Sequence, residues 1–144
     1  AAATAIFRVL ARDSSNAGAW NFVGFMYADA GIRLDGALEY IQRAMSLDSA
    51  SAAILDSYGW VLYRLGRYPE ARDALMRATT KAPSEPEIAE HLGDVYVALG
   101  DTDAARGAYQ SSLRADRGRS RVVGKMAQLR KRRVAASAQK GNPQ

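Results

Sequence analysis

Cysteine is absent from all 144 residues, which excludes disulfide staples and thiolate metal sites but leaves the redox compartment open. Histidine occurs once, as His91. There is no glycine-rich phosphate loop, and no two carboxylates have a spacing that suggests paired acid and base roles, so the chain is not expected to be an enzyme. No apolar run reaches membrane-spanning length, and no signal-peptide pattern opens the sequence. Proline is scarce, with 4 residues, and the 12 glycines fall mainly in turns and helix ends. Acid runs out toward the C-terminus. Residues 1–113 hold 10 basic and 14 acidic side chains, net −4, whereas residues 114–144 hold 10 basic and one acidic, net +9. With 48% hydrophobic residues the chain has ample material for a continuous core, and one domain is expected.

What is present is a repeat. Gly24, Gly59 and Gly93 are 35 and 34 residues apart, in Trp20-x-x-Val23-Gly24-x-x-Tyr27, Leu55-x-x-Tyr58-Gly59-x-x-Leu62 and Ala89-x-x-Leu92-Gly93-x-x-Tyr96. Each is followed by a turn glycine (Gly31, Gly66, Gly100) and then by Ala37, Ile41 and Ala44, by Ala71, Leu75 and Ala78, or by Ala105, Tyr109 and Ser112. Spacings of four and three mark one face of a second helix. A period near 34 residues signifies an array of helical hairpins. The small residue in each first helix, and the alanine that opens each second one, allow close helix approach while large residues fill the space between. Asn16, Asp101 and the pair Ser84-x-x-Glu87 are expected to cap helix starts, the last as a capping box, and Pro69 and Pro86 fall in first turns.

This pattern resembles the tetratricopeptide repeat (TPR) family over residues 17 to about 118, which implies an all-α, right-handed solenoid of helix-turn-helix repeats. The expected division is 16–50, 51–84 and 85–118 for three repeats. Residues 1–15 (Ala3, Phe7, Leu10) read as the second helix of a truncated preceding repeat, so that the chain is a fragment of a longer array. Residues 119–137 (Val122, Val123, Met126, Leu129) read as a basic capping helix, and 138–144 as a disordered tail. The first repeat departs by one extra residue in its turn, Gly31 to Gly36, and the family's closing proline appears only as Pro83.

The resemblance implies a protein-interaction scaffold or adaptor, with first helices lining a concave groove that takes a segment of a partner protein. Carried onto matching positions, the groove is Asn21, Phe22, Phe25 and Asp29; Asp56, Trp60, Tyr63 and Arg64; and Glu87, Glu90, His91 and Asp94. Apart from the family, Asp56, Trp60 and Tyr63 share a helix face. Phe22 with Phe25 and Trp60 with Tyr63 are the candidate aromatic anchors. The alternative, that these rings only pack between repeats, stays open; Trp20 is expected in the core. Chaperone-clamp members of the family grip acidic peptides with Lys and Arg, whereas Asn21, Asp56, Glu87, Glu90 and Asp94 stand at such positions here. The implied ligand is therefore apolar with basic character toward the third repeat.

No cofactor is expected, and no metal: Glu87, Glu90 and Asp94 each lie within one helical turn of His91, but donors on one helix do not converge into a cage, and a solvated polar face is expected instead. Arg130-Lys131-Arg132-Arg133 carries the alternative function, contact with nucleic acid or an anionic membrane, against the plainer role of keeping the helix end soluble. Self-assembly through repeat ends is the third possibility. Wording such as Tyr58-Gly59-Trp60-Val61-Leu62-Tyr63-Arg64-Leu65-Gly66 is similar to the C-terminal repeats of bacterial TPR envelope lipoproteins and adaptors, and this likeness favours a periplasmic or outer-membrane-associated setting over the cytoplasm.

Overall fold

The computed structural model describes residues 2–141. Among them are eight α-helices and no strand: α1 (Ala2–Arg12), α2 (Ala17–Ala30), α3 (Leu34–Leu47), α4 (Ala52–Arg64), α5 (Tyr68–Lys81), α6 (Pro86–Ala98), α7 (Thr102–Ala115) and α8 (Ser120–Lys140). The chain forms two compact units, one of residues 1–83 and one of 84–144, where composition led to the expectation of a single domain. Repeats in an array contact only their neighbours, so a chain of this kind divides readily at a repeat boundary.

In each unit the repeat glycines do what their spacing implied. A methyl on Gly24 would lie 2.5 Å from Cγ1 of Ile41, and one on Gly59 would lie 2.5 Å from Cγ of Leu75. A methyl on Gly93 would fall onto the ring of Tyr109. Helices α2 and α3, α4 and α5, and α6 and α7 can thus meet at short distance, with Ile41, Leu75 and Tyr109 seated in the notches the glycines leave. Ala37, Ala71 and Ala105 are fully buried at the equivalent positions of the second helices.

The turns inside the hairpins repeat in their hydrogen bonds. Arg67 N–H donates to the Leu62 carbonyl and Gly66 N–H to Tyr63; Asp101 donates to Tyr96 and Gly100 to Val97; Ile32 donates to Tyr27 and Gly31 to Ala28. This is the Schellman closure, which needs a left-handed residue, and the glycines supply it with φ of 69°, 80° and 78° at positions 31, 66 and 100. The extra residue of the first turn adds a second left-handed position, Arg33 with φ 49°, whose guanidinium lies over the Tyr27 ring. Between hairpins, Asp13, Asp48 and Asp116 each accept a backbone N–H from two residues on, at 3.0, 3.2 and 2.9 Å. These aspartates recur with the period of the array, and Ala82 holds the same place in the remaining linker.

Asn16 and Asp101 cap α2 and α7 as expected, accepting from Ala19 N–H at 2.9 Å and Ala104 N–H at 3.1 Å; Ser51 does the same for α4. The capping box at Ser84 does not form. Pro86 opens α6, which makes Glu85 the cap residue and leaves Ser84 one position too early. Asp101→Ala should therefore lower stability by about 1 kcal/mol in urea unfolding, whereas Ser84→Ala should stay within about 0.5 kcal/mol of the parent. Helix α8 runs to Lys140, past the expected end at 137, so Ala138, Gln139 and Lys140 are helical. Residues 142–144 of the expected tail lie outside the described residues.

Candidate protein-binding surface

In the unit of residues 1–83, α2 and α4 lie side by side. The aromatic positions on them differ in depth. Phe22 is 47% exposed, Phe25 and Tyr63 are half-buried against the core, and Trp60 belongs to that core at 9% exposure. Trp60 and Tyr63 stack with ring centroids 4.9 Å apart, and Tyr63 also meets Tyr68 at 5.7 Å. Trp60 thus serves as a buried base for Tyr63, while Phe22, Phe25 and Tyr63 keep area open to a partner. Asn21 is half-buried with its Oδ1 enclosed, Asp29 is exposed, and Asp56 is buried. Arg64 is exposed, and its guanidinium lies against Gly31 at the first hairpin turn. Trp20 packs into the core with its indole N–H donating to the Ser14 carbonyl at 2.9 Å and its ring stacked on Tyr40 at 5.7 Å.

In the unit of residues 84–144, α6 does not present the solvated polar face expected around His91. Glu90 is 2% exposed and His91 7%. For Glu90 the capping helix and the residue before it supply the reason: Lys125 Nζ donates to Glu90 Oε1 and to Asp94 Oδ2, each at 2.9 Å, and Arg119 Nε donates to Glu90 Oε2 at 3.1 Å, with its Nη2 on the same oxygen. Arg121 stands 3.7 Å from Glu90, and the Tyr109 hydroxyl donates to Asp94 Oδ1 at 2.7 Å. Burial opposes ionisation of Glu90, but the hydrogen bonds from Arg119 and Lys125 outweigh it and hold the carboxyl below the usual carboxylate range. For Lys125 burial likewise opposes the charge, and Glu90 and Asp94 outweigh it and raise the ammonium pKa. Glu87 is the exposed member of the set, its Oε1 3.8 Å from His91 Nε2.

These partners were not part of the sequence reading. A signal for one of them exists: Lys125 lies 34 residues after His91, so continuing the period by one step puts it at a groove position of α8. The basic run Arg130, Lys131, Arg132 and Arg133 is exposed on α8, and none of the four makes an ion pair with a described residue. Among the described residues no helix is long and apolar enough to cross a membrane.

Comparison with known proteins places this architecture. Residues 58–120 match the family model described as tetratricopeptide repeat. The chain is 41% identical over 86 residues to TPR repeat-containing protein PA4667 of Pseudomonas aeruginosa, covering 60% of this chain and 14% of that protein. It is 33% identical over 93 residues to the type IV pilus assembly protein PilF of the same organism, covering 63% of this chain and 37% of PilF. The solved structure of P. aeruginosa PilF superposes with a TM-score of 0.77 at 28% identity, over 96% of this chain and 67% of that one. The first TPR domain of Spaghetti, solved bound to the HSP90 peptide SRMEEVD, shares the fold at a TM-score of 0.76 and 17% identity, over 85% of this chain and 96% of that one. The chain thus carries the tetratricopeptide repeat pattern over residues 58–120, has the all-α solenoid fold, and is similar to bacterial proteins of that family. The matched stretches span well under half the length of the two curated relatives.

Proposed function

We propose that this chain is a scaffold or adaptor that binds a segment of a partner protein on the first-helix face of its repeats, and that its work is binding rather than chemistry. The observation that carries the reading is the open aromatic area of α2 and α4: exposed Phe22 and half-buried Phe25 lie one turn apart on α2, and half-buried Tyr63 stacks on buried Trp60 in α4. Aromatics on a firm base bury much area at little cost in side-chain freedom, which is how hot spots form. The TPR fold is typical of such scaffolds, and Spaghetti's first TPR domain was solved with a peptide bound.

The ligand we favour is an apolar segment with Lys or Arg beside its apolar residues, because Asp29 is the exposed charge at the groove positions of α2. Glu90 and Asp94 add little to that preference, since Arg119 and Lys125 already neutralise them. An acidic peptide like the one bound by Spaghetti finds no cationic clamp at Asn21, Asp56, Glu87 or Glu90. A periplasmic or outer-membrane-associated setting is the one we favour, by analogy with PilF as a pilus assembly protein. The exposed run Arg130 to Arg133, which makes no ion pair with a described residue, supports a second reading, contact with nucleic acid or an anionic membrane.

Capture from a bacterial extract separates the two. Phe22→Ala/Tyr63→Ala should lose the bound proteins about tenfold or more, as expected for hot-spot truncation, while glutamine at positions 130–133 should retain them. The reverse result, with capture abolished by nuclease or by the glutamine variant alone, would transfer the function to the tail.

A further inference from the structure

Helix α8 changes character along the side it turns toward α7. Val122 and Leu129 pack with Ala105 and Tyr109 in an apolar cluster. Beyond Leu129 the same side carries Arg132, Arg133 and Lys140, with Ser137 among them, and there the two helices leave a cleft of about 450 Å³. Its opposite wall is the start of α7, with Thr102, Asp103 and Arg106.

Four cations therefore line one concavity with one carboxylate. That carboxylate is already engaged, since Arg106 Nη1 donates to Asp103 Oδ1 at 2.9 Å. Like charges lining a cleft repel each other, and the cleft concentrates their field, so the arrangement is relieved by a bound anion. Arginine forks match the oxygens of a tetrahedral oxyanion, and the Thr102 and Ser137 hydroxyls add neutral donors. A singly charged carboxylate would leave most of the excess uncompensated. Concavity argues against a nucleic-acid duplex, which would meet the outward ridge of α8 instead.

We propose that this cleft is a phosphate-binding site, taking a phosphate dianion either free on a small molecule or on a phosphomonoester headgroup. The site is separate from the aromatic face of α2 and α4 and does not depend on its function.

The test is a titration of the isotope-labelled chain with inorganic phosphate at constant ionic strength, following the Thr102 and Ser137 amides by NMR. Arg132→Gln/Arg133→Gln is compared with Arg114→Gln/Arg117→Gln, which removes equal charge outside the cleft. All four side chains are exposed, and circular dichroism checks that both variants retain their helix content. We expect saturable shifts in the parent and in the second variant, and affinity weakened about tenfold or more in the first, as loss of charge-assisted bonds to two arginines implies. Phosphatidylcholine vesicles with and without phosphatidic acid then identify the source. Binding that phosphate competes away assigns the headgroup, and absence of vesicle binding beside saturable phosphate binding assigns a soluble ester. Non-saturating shifts, or equal weakening in both variants for phosphate or for a single-stranded oligonucleotide, would overturn the proposal in favour of general attraction to a basic helix.

Discussion

Glu90→Gln is expected to lower the stability of the α6–α8 unit by about 2–3 kcal/mol, as breaking a buried charge pair whose cationic partners are partly solvated should. Glutamine keeps the shape and one acceptor but leaves Lys125 and Arg119 facing a neutral group beneath a largely closed surface. The effect should follow pH with a definite sign. Because the folded-state pKa of Glu90 lies below its usual 4.5, its contribution is complete above that value and disappears as pH falls through the lower, folded-state value. Lys125 works in the opposite direction. Its pKa is raised above 10.5, so its contribution is complete below that value and fades as pH rises through the higher one. The parent should therefore hold a plateau between the two limits and weaken below the acid one, while Glu90→Gln starts lower and shows a flatter acid limb. Amide exchange in α6 and α8 reads this locally, without requiring the whole chain to unfold together.

Gly93→Ala should cost about 2 kcal/mol, the balance of about 3 kcal/mol of overpacking against about 1 kcal/mol of gained helix propensity. The new methyl would occupy the space of the Tyr109 ring, and that ring has little room to retreat, being 2% exposed and tied through its hydroxyl to Asp94. The same substitution at Gly107, within α7 and with nothing inside 4 Å of the added methyl, should instead stabilise by up to about 1 kcal/mol. Opposite signs for one chemical change within one unit, measured by urea unfolding, would show that Gly93 is there for close approach. A stabilised Gly93→Ala would show that it is not.

The parts of the fold that were legible in the sequence are those set by local packing with a period. Gly24, Gly59 and Gly93, with the second-helix alanines and the turn glycines, specify hairpins through contacts within about 20 residues, so the register carried them. The surface was less legible because exposure depends on what else covers a residue. Trp60 has the right helix face for an anchor, yet it lies in the core, and Phe22 on α2, the first helix of the preceding repeat, is the open ring. Glu90 looked like solvated acid because its partners, Arg119 and Lys125, are 29 and 35 residues away on a helix read only as a cap. The Ser84 box failed for a local reason: the pattern was right in letters and one residue out of phase with a helix that Pro86 begins.

The central claim is that a partner protein occupies the aromatic face of α2 and α4, and photocrosslinking tests it most directly. A benzophenone amino acid placed at position 22, with a second chain carrying it at position 131 on α8, would be irradiated in native bacterial extract and the adducts resolved by mass. The account predicts a discrete protein adduct from position 22 that is lost with Tyr63→Ala and absent from position 131. Adducts from position 131 alone, or none from position 22 in a chain of unchanged helix content, would contradict it.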